Sequence, residues 1–476
     1  MSTSFRSAAS AELASAALAG TEAKSDIRKH RNTLAIAFIT GLRRSELIEA
    51  QQYHSGANSV TRKQANPYYH SPAPTSKHKR VIEPQEPHRP SAHPVQHPVQ
   101  QRKGSGASAR KRILIVSSTL HTGGAERIVA CLARHLDRER FDVTVCYLKE
   151  SGVVGEEIER HGTPLVPVPG LVPGAVDRFT WWKLRRLIRA GAFELIHTHD
   201  VHGLMDGVAC KLLVRGVKHV HTFHWGNYPE RETRYRKIER LVWRVPDRLI
   251  AVGHRQADAI RQLYSIPPAR LKVIWNGVDT LSPQIAPEVL AITSKTSDPV
   301  LASISTMIEQ KGLHDLLQAA HLLKNDGASF QLLVIGDGHL RPKLEELAKE
   351  LGIQDRVHFL GWITQASERA LPACDIFVQS SLWEAMSVVV LEAMARGKPI
   401  VATRVGDNEH MIEDGVSGRL VSKSDPRALA DALGELLRDS AQRERLGAAA
   451  KARHGALFTT RHMIEAHEAL YESLLA

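Results

Sequence analysis

Two glutamates, Glu384 and Glu392, stand eight positions apart in the apolar stretch SSLWEAMSVVVLEAMARG (380–397). A buried carboxylate is costly unless a cation or hydrogen-bond donor meets it, and this stretch offers no cation before Arg396. Such carboxylates either reach solvent or face a cleft where a polar ligand supplies their partners. A carboxylate accepts two hydrogen bonds side by side, and sugar and ribose rings present adjacent hydroxyls, so a hydroxyl clamp is one chemistry open to them. Complementing a helix dipole is the other.

Three further groups could do chemistry. Gly123 and Gly124 precede a helix pattern with Glu126 in its first turn, as a phosphate-approaching turn or an ordinary strand–helix turn would. His197 and His199 (IHTHD) share one strand face, and HTFH at 221–224 adds His221 and His224. These four read equally as metal ligands, as structural histidines, or as a single histidine beside a reacting sugar. Lys311-Gly312 follows an apolar strand and could neutralise a phosphate, although an exposed lysine is the commoner use. IGDGHLR (335–341) is a Gly-rich turn with little specificity alone.

The elements that must hold these residues alternate regularly. RILIVSST (112–119), FDVTVCYL (141–148), FELIHTHD (193–200), KHVHTFH (218–224) and DRLIAVG (247–253) read as buried parallel strands separated by helices. VIWNGVD (273–279) and the loose stretch to 298 read as an interdomain connection. A second alternation follows: PVLASIS (299–305), FQLLVIGDG (330–338), RVHFLGW (356–362), DIFVQSS (375–381), PIVATRVG (399–406) and GRLV (418–421). In LHDLLQAAHLL (313–323), Leu313, Leu316, Leu317, Ala320 and Leu323 form one helical stripe, and Val388–Arg396 is expected to be a helix holding Glu392. Two doubly wound α/β sheets in tandem are predicted. Open sheets of this kind bind ligands at the carboxyl ends of their strands, where every group above falls.

Bulk properties narrow the class. The chain has 476 residues, 43% of them hydrophobic, and a net charge of +12. Residues 1–112 hold 18 Lys/Arg against 7 Asp/Glu, so the basic excess belongs to an N-terminal segment and says little about the body. Residues 50–110 are rich in Pro, His, Ser, Gln and Lys, including the tandem HPVQHPVQ, and this composition predicts disorder. Cys131, Cys146, Cys210 and Cys374 are widely spaced, form no CxxC pair, and read as reduced thiols of a cytoplasmic protein. The first ten residues lack an apolar core, so no secretory signal is expected, and no apolar run is long enough to span a membrane.

The joint order of GGAE (123–126), HTHD (197–200), NGVD (276–279), QKG (310–312), IGDG (335–338), VHFLGW (357–362), SSLWEAMSVVVLEAMARGKPIVAT (380–403) and GDNEHMIEDGVSGRLV (406–421) resembles the retaining glycosyltransferases of family 4. The similarity runs over roughly residues 112–475. It implies the GT-B fold of two facing Rossmann-like domains, N-terminal and acceptor-side over 112–280, and C-terminal and nucleotide-sugar-binding over 281–457. A basic tail (1–111) precedes them, and a helix (458–476) is expected to return to the first domain. By the resemblance, Glu392 holds ribose hydroxyls and Glu384 faces the donor sugar, with backbone groups of Ala385, Met386 and Ser387 close to it. Lys311 neutralises the diphosphate, Gly123 and Gly124 form the loop closing over it, and His199 lies near the reacting carbon. These assignments imply carboxylates whose partners are ligand hydroxyls.

The resemblance further implies a nucleotide-sugar donor and a glycan or lipid-linked acceptor of surface polysaccharide synthesis. No cofactor or metal is expected, since no D-x-D occurs. The sequence departs from the family where Gly-Arg usually stands: it has Ser305-Thr306. Thr306 is the donor-binding residue at that position; it can donate one hydrogen bond but carries no charge, which leaves open a compensating cation, such as Arg404 or Arg341, or reduced activity. Gly253-His254 stands where the family often has a serine, and Ala385 where a glycine is frequent.

RFTWWKLRRLIRAGAF (178–193) sets Trp181, Leu184, Leu187 and Ile188 on one face and its basic residues elsewhere. This is either a domain helix with a buried apolar face or a peripheral contact with an anionic membrane at the inner face of the cytoplasmic membrane. LAIAFITGLRRSEL (34–47) is similar to the first arginine box of tyrosine recombinases, with Arg43 in the arginine position. No second box follows, so it reads as a fusion scar or chance, with no specific nucleic-acid partner expected. Other readings remain open at this level: a metal-dependent hydrolase using His197, His199, His221 and His224, a non-catalytic sugar-nucleotide-binding relative, and a nucleotide-sugar epimerase.

Overall fold

Apolar runs of four to six residues bounded by small or charged residues give the strands. The computed structural model describes residues 110–476 apart from 122, 172–178, 229, 231–232 and 280–283. The basic tail and the 34–47 box lie outside the described residues. The first sheet comprises β1 (Lys111–Thr119), β2 (Phe141–Glu150), β3 (Leu165–Pro167), β4 (Leu195–Thr198), β5 (Lys218–Phe223), β6 (Arg248–Ala251) and β7 (Leu271–Val273), in the order β3-β2-β1-β4-β5-β6-β7. The second comprises β8 (Val300–Ile304), β9 (Gln331–Ile335), β10 (Val357–Gly361), β11 (Ile376–Gln379), β12 (Ile400–Thr403) and β13 (Arg419–Val421), in the order β10-β9-β8-β11-β12-β13. All neighbouring strands run parallel. The tandem doubly wound architecture expected from the sequence is the one observed.

Two edge strands are additions. β3 is three residues long and ends in proline, and β7 takes Val273 from the expected connection. Both are too short to leave a pattern. The strand carrying His197 is therefore fourth rather than third in the chain.

The helices that shape the cleft are α1 (Gly124–His135), α2 (Thr180–Ala190), α3 (Val201–Leu213), α4 (Thr233–Val242), α5 (His254–Tyr264), α6 (Leu313–Asn325), α7 (Val388–Ala395) and α8 (Thr460–Leu475). In α6 the five stripe residues are all buried against the second sheet. In α2, Leu184 and Ile188 enter the first domain's core, so that apolar face is spent on folding. The exposed aromatics there are Phe179 and Trp182, with the Arg186 guanidinium 5.0 Å from the Trp182 ring centre. Helix α8 packs on the first domain: Met463, Ile464, Leu470, Tyr471 and Leu474 share a core with Ile113, Val129 and Phe141.

Each sheet changes direction of winding at one place, between β1 and β4 and between β8 and β11. A crevice opens there because the flanking connections leave to opposite faces. Gly123–Gly124, His199, Lys311 and Glu384 each follow one of these four strands. Asp200 ties the first pair together, accepting from Ser118 N (2.6 Å) and Ser118 Oγ (2.5 Å) at the end of β1 while capping α3 through Gly203 N (2.9 Å).

Candidate active site

At the β8–β11 crevice, Glu384 is buried but not unpaired. Its carboxylate accepts from Lys311 Nζ at 2.6 Å, Ser381 Oγ at 2.8 Å and Gln310 Nε2 at 3.4 Å. The backbone fixes this pairing. Gly312, at φ +56°, lets the chain turn into α6 so close to Ser380 that a Cβ would strike the Ser380 carbonyl. Ser380 Oγ donates to Lys311 O (2.9 Å), and Leu382 N donates to Gln310 O (2.7 Å).

Glu392 lies in α7, a helix buried nearly all round and capped by Ser387, whose Oγ accepts from Val390 N. Its Oε1 accepts from Arg127 Nη1 of α1 at 2.7 Å. Its Oε2 is buried with no protein donor. The expectation that ligand hydroxyls are the glutamates' only partners is thus corrected. The cations come from elements distant in sequence, which residues 380–397 do not reveal. One orphaned oxygen remains, and a buried acceptor without a donor marks a place for a ligand hydroxyl or water.

Ala385 O accepts from Asp407 N (3.0 Å), and Met386 Sδ takes the Asn276 N–H (3.2 Å). Thr306 is exposed. Neither proposed substitute is spare: Arg404 pairs with Glu409 (3.5 Å) and Asp414 (2.5 Å), and Arg341 with Asp337 (3.1 Å) and Glu345 (2.8 Å).

Besides Arg127 and Asn276, the first domain meets this crevice elsewhere. A Cβ on Gly124 would sit 3.7 Å from Val388 Cγ2 at the start of α7. Gly226, just beyond β5, lies on the Glu384–Ala385 peptide, where any side chain would collide. Asp407, fully buried, accepts from His254 N (2.8 Å), Arg255 N (2.9 Å) and Trp275 Nε1 (2.9 Å), so it caps α5 across the cleft. A helix N-terminus and three donors offset the burial of that charge. The Asp407 carboxylate also leaves no room for a side chain at Gly253.

The four histidines do not form a metal site. His197 spends both ring nitrogens, Nδ1 with Tyr471 Oη (2.7 Å) and Nε2 with Thr222 Oγ1 (2.7 Å). His221 Nδ1 meets Thr198 Oγ1 (2.9 Å), and His199 Nδ1 meets His224 Nε2 (3.0 Å). Among the described residues no group of three or more His, Cys, Asp or Glu is placed to hold a metal. Nothing favours the metal-dependent hydrolase reading, and both ring nitrogens of His197 are already in hydrogen bonds. His199 Nε2 is buried without a partner, its ring centre lies 4.1 Å from that of His197 at a tilt of 42°, and it stacks on His224 at 5.3 Å. Burial and the neighbouring imidazoles hold His197 and His199 well below the usual histidine range, and burial takes His224 down to about 4. They are neutral at physiological pH.

Reasoning from spacing missed Arg127, Tyr471 and Gly226. Arg127 directly follows the GGAE motif, which was its signal. Tyr471 and Gly226 had none.

A family model described as glycosyltransferase family 4 matches residues 122–281, and one described as glycosyl transferases group 1 matches residues 289–453. The D-inositol 3-phosphate glycosyltransferase of Corynebacterium urealyticum is 33% identical over 311 residues, covering 60% of this chain and 72% of that protein. The chain belongs to the family 4 glycosyltransferases. The lipopolysaccharide core biosynthesis glycosyltransferase LpsE of Rhizobium meliloti is 30% identical, and the match spans 46% of this chain and 60% of LpsE. Among solved structures, Anabaena HepE in complex with UDP and glucose superposes with a TM-score of 0.68 at 22% identity, over 76% of this glycosyltransferase and 100% of HepE. That likeness is one of fold, the GT-B arrangement of two Rossmann-like sheets.

Proposed function

We propose that the chain transfers a sugar, with retention of anomeric configuration, from a nucleotide-sugar donor to a glycan or lipid-linked acceptor in polysaccharide synthesis. The carrying observation is the Lys311–Glu384 pair, its carboxylate buried, together with Glu392, whose Oε2 is buried without a protein partner. The names of the relatives support the reading: LpsE acts in lipopolysaccharide core biosynthesis, and HepE was crystallised with UDP and with UDP-glucose.

In this reading Glu392 Oε2 accepts a ribose hydroxyl, and Glu384 faces the donor sugar from the loop after β11. Departure of the nucleoside diphosphate builds negative charge while the sugar becomes oxocarbenium-like. Lys311 and the backbone amides at the start of α7 stabilise the departing group. His199, neutral, faces the sugar from the β1–β4 side without adding charge there. The chain's own cations do the work of a metal in this scheme, in keeping with a sequence that has no D-x-D.

The test is release of nucleoside diphosphate from a panel of UDP-, GDP- and ADP-sugars with EDTA present. Wild type is expected to turn over one donor, and Glu392→Ala to lose it. If no donor is hydrolysed and none binds by calorimetry, the reading falls.

A further inference from the structure

A nucleoside diphosphate needs more positive charge than the expected residues supply. Lys311 already faces Glu384, Thr306 is neutral, and Arg404 and Arg341 are each held between two carboxylates. Arg127 differs from all of these. It sits in the first turn of α1, three residues past Gly124, where the N-termini of α1 and α7 come together. One guanidinium nitrogen meets Glu392 Oε1, its sole side-chain partner among the described residues. The Arg127 side chain is 36% exposed while the Glu392 side chain is 9% exposed, so the arginine reaches toward solvent and the carboxylate does not.

An arginine carries five donors in a planar fork, so a carboxylate on one nitrogen leaves the others free to bind phosphate. Glu392 in turn has two oxygens, of which only Oε1 is engaged. Glu368 and Arg396 are charged neighbours of this pair. Lys311 has given one donor to Glu384, and Arg127, with one donor given to Glu392, adds a second cation with donors to spare.

We propose that Arg127 is a donor-binding residue contributed by the first domain: Glu392 Oε1 orients its guanidinium, and its remaining N–H groups bind the diphosphate of the nucleotide sugar. Glu392 then serves two partners, the arginine through Oε1 and a ribose hydroxyl through Oε2. Closing the first domain over the donor and neutralising its diphosphate become one event. The inference rests on the donor-site reading above and adds a cation to it.

The experiment compares the full-length chain with Arg127→Lys and Arg127→Gln. Affinities for UDP, GDP and ADP are measured by calorimetry, and those for the matching nucleosides by ligand-observed NMR. The best-bound diphosphate is expected to weaken about tenfold or more in Arg127→Gln and less in Arg127→Lys, since a charge-assisted hydrogen bond is replaced by a neutral one. The matching nucleoside is expected to bind as in wild type. Equal loss for nucleoside and diphosphate would make Arg127 only a strut to Glu392, and no loss for either would remove it from the site; both outcomes overturn the proposal. A wild type that binds no nucleoside diphosphate would overturn the donor-site reading itself. Thermal melts of Arg127→Lys, which keeps the charge beside Glu392, separate misfolding from lost contact.

Discussion

At the β8–β11 crevice the buried polar groups are carboxylates, each held by a cation: Glu384 by Lys311 and Glu392 by Arg127. At the β1–β4 crevice they are neutral imidazoles stacked and hydrogen-bonded to one another and to hydroxyls. The two sheets share a winding pattern, so the difference is one of side chains on equivalent strand ends. A buried ion needs a partner of opposite sign, and a pair with a donor to spare suits an anionic, hydroxyl-rich ligand. Imidazoles that have given up their charge suit a reacting sugar, where a fixed cation would oppose oxocarbenium character. In the function proposed above, the cleft would divide its labour: charge on the donor's side and neutral polarity on the side of the reacting carbon.

The largest effect that would break this contrast is expected at Glu384. Glu384→Ala leaves Lys311 without its carboxylate and, in the proposed site, the donor sugar without a hydrogen-bond acceptor. Turnover is expected to fall by ~10²–10³-fold, in the range for loss of one preorganised electrostatic group. Steady-state kinetics with saturating donor reads this, and activity within a few-fold of wild type would remove Glu384 from the chemistry.

A smaller effect sharpens the other half. His224 and His467 are held at about 4 by burial, and His197 and His199 are also displaced downward. In the unfolded chain these groups titrate near 6.5. Between those limits the unfolded state binds protons that the folded state refuses, so stability is complete above about pH 6.5 and falls as pH drops toward 4. Each such histidine is expected to cost ~2 kcal/mol by pH 5. Thermal melts from pH 8 to 5 should show the decline, and His467→Phe should flatten it. An acid limb unchanged by that substitution would contradict neutral burial of His467.

Much of this was legible in the sequence because strand ends are. Apolar runs closed by Ser-Ser, His-Thr-His or Gln-Ser-Ser announced the strands and the loops after them, and the interval from Glu384 to Glu392 is set by one turn and one helix start. The ion pairs were not legible. Arg127 and Glu392 are 265 residues apart, and Lys311 and Glu384 are 73. The first meeting depends on how the two domains face each other and the second on β8 and β11 lying side by side in one sheet, and no local period encodes either. The same limit hid Tyr471, which reaches His197 only because α8 returns to the first domain. The histidines left their role open for a different reason: HxH spacing places two rings on one face whether a metal or a hydroxyl receives them.

The division of labour is tested most directly by measuring nucleoside diphosphate affinity in Lys311→Met and His199→Gln side by side, with kcat determined for each. The contrast predicts that Lys311→Met loses about tenfold or more in affinity, while His199→Gln binds the diphosphate as wild type does and loses kcat by ~10²-fold. Equal loss of affinity in both variants would contradict it.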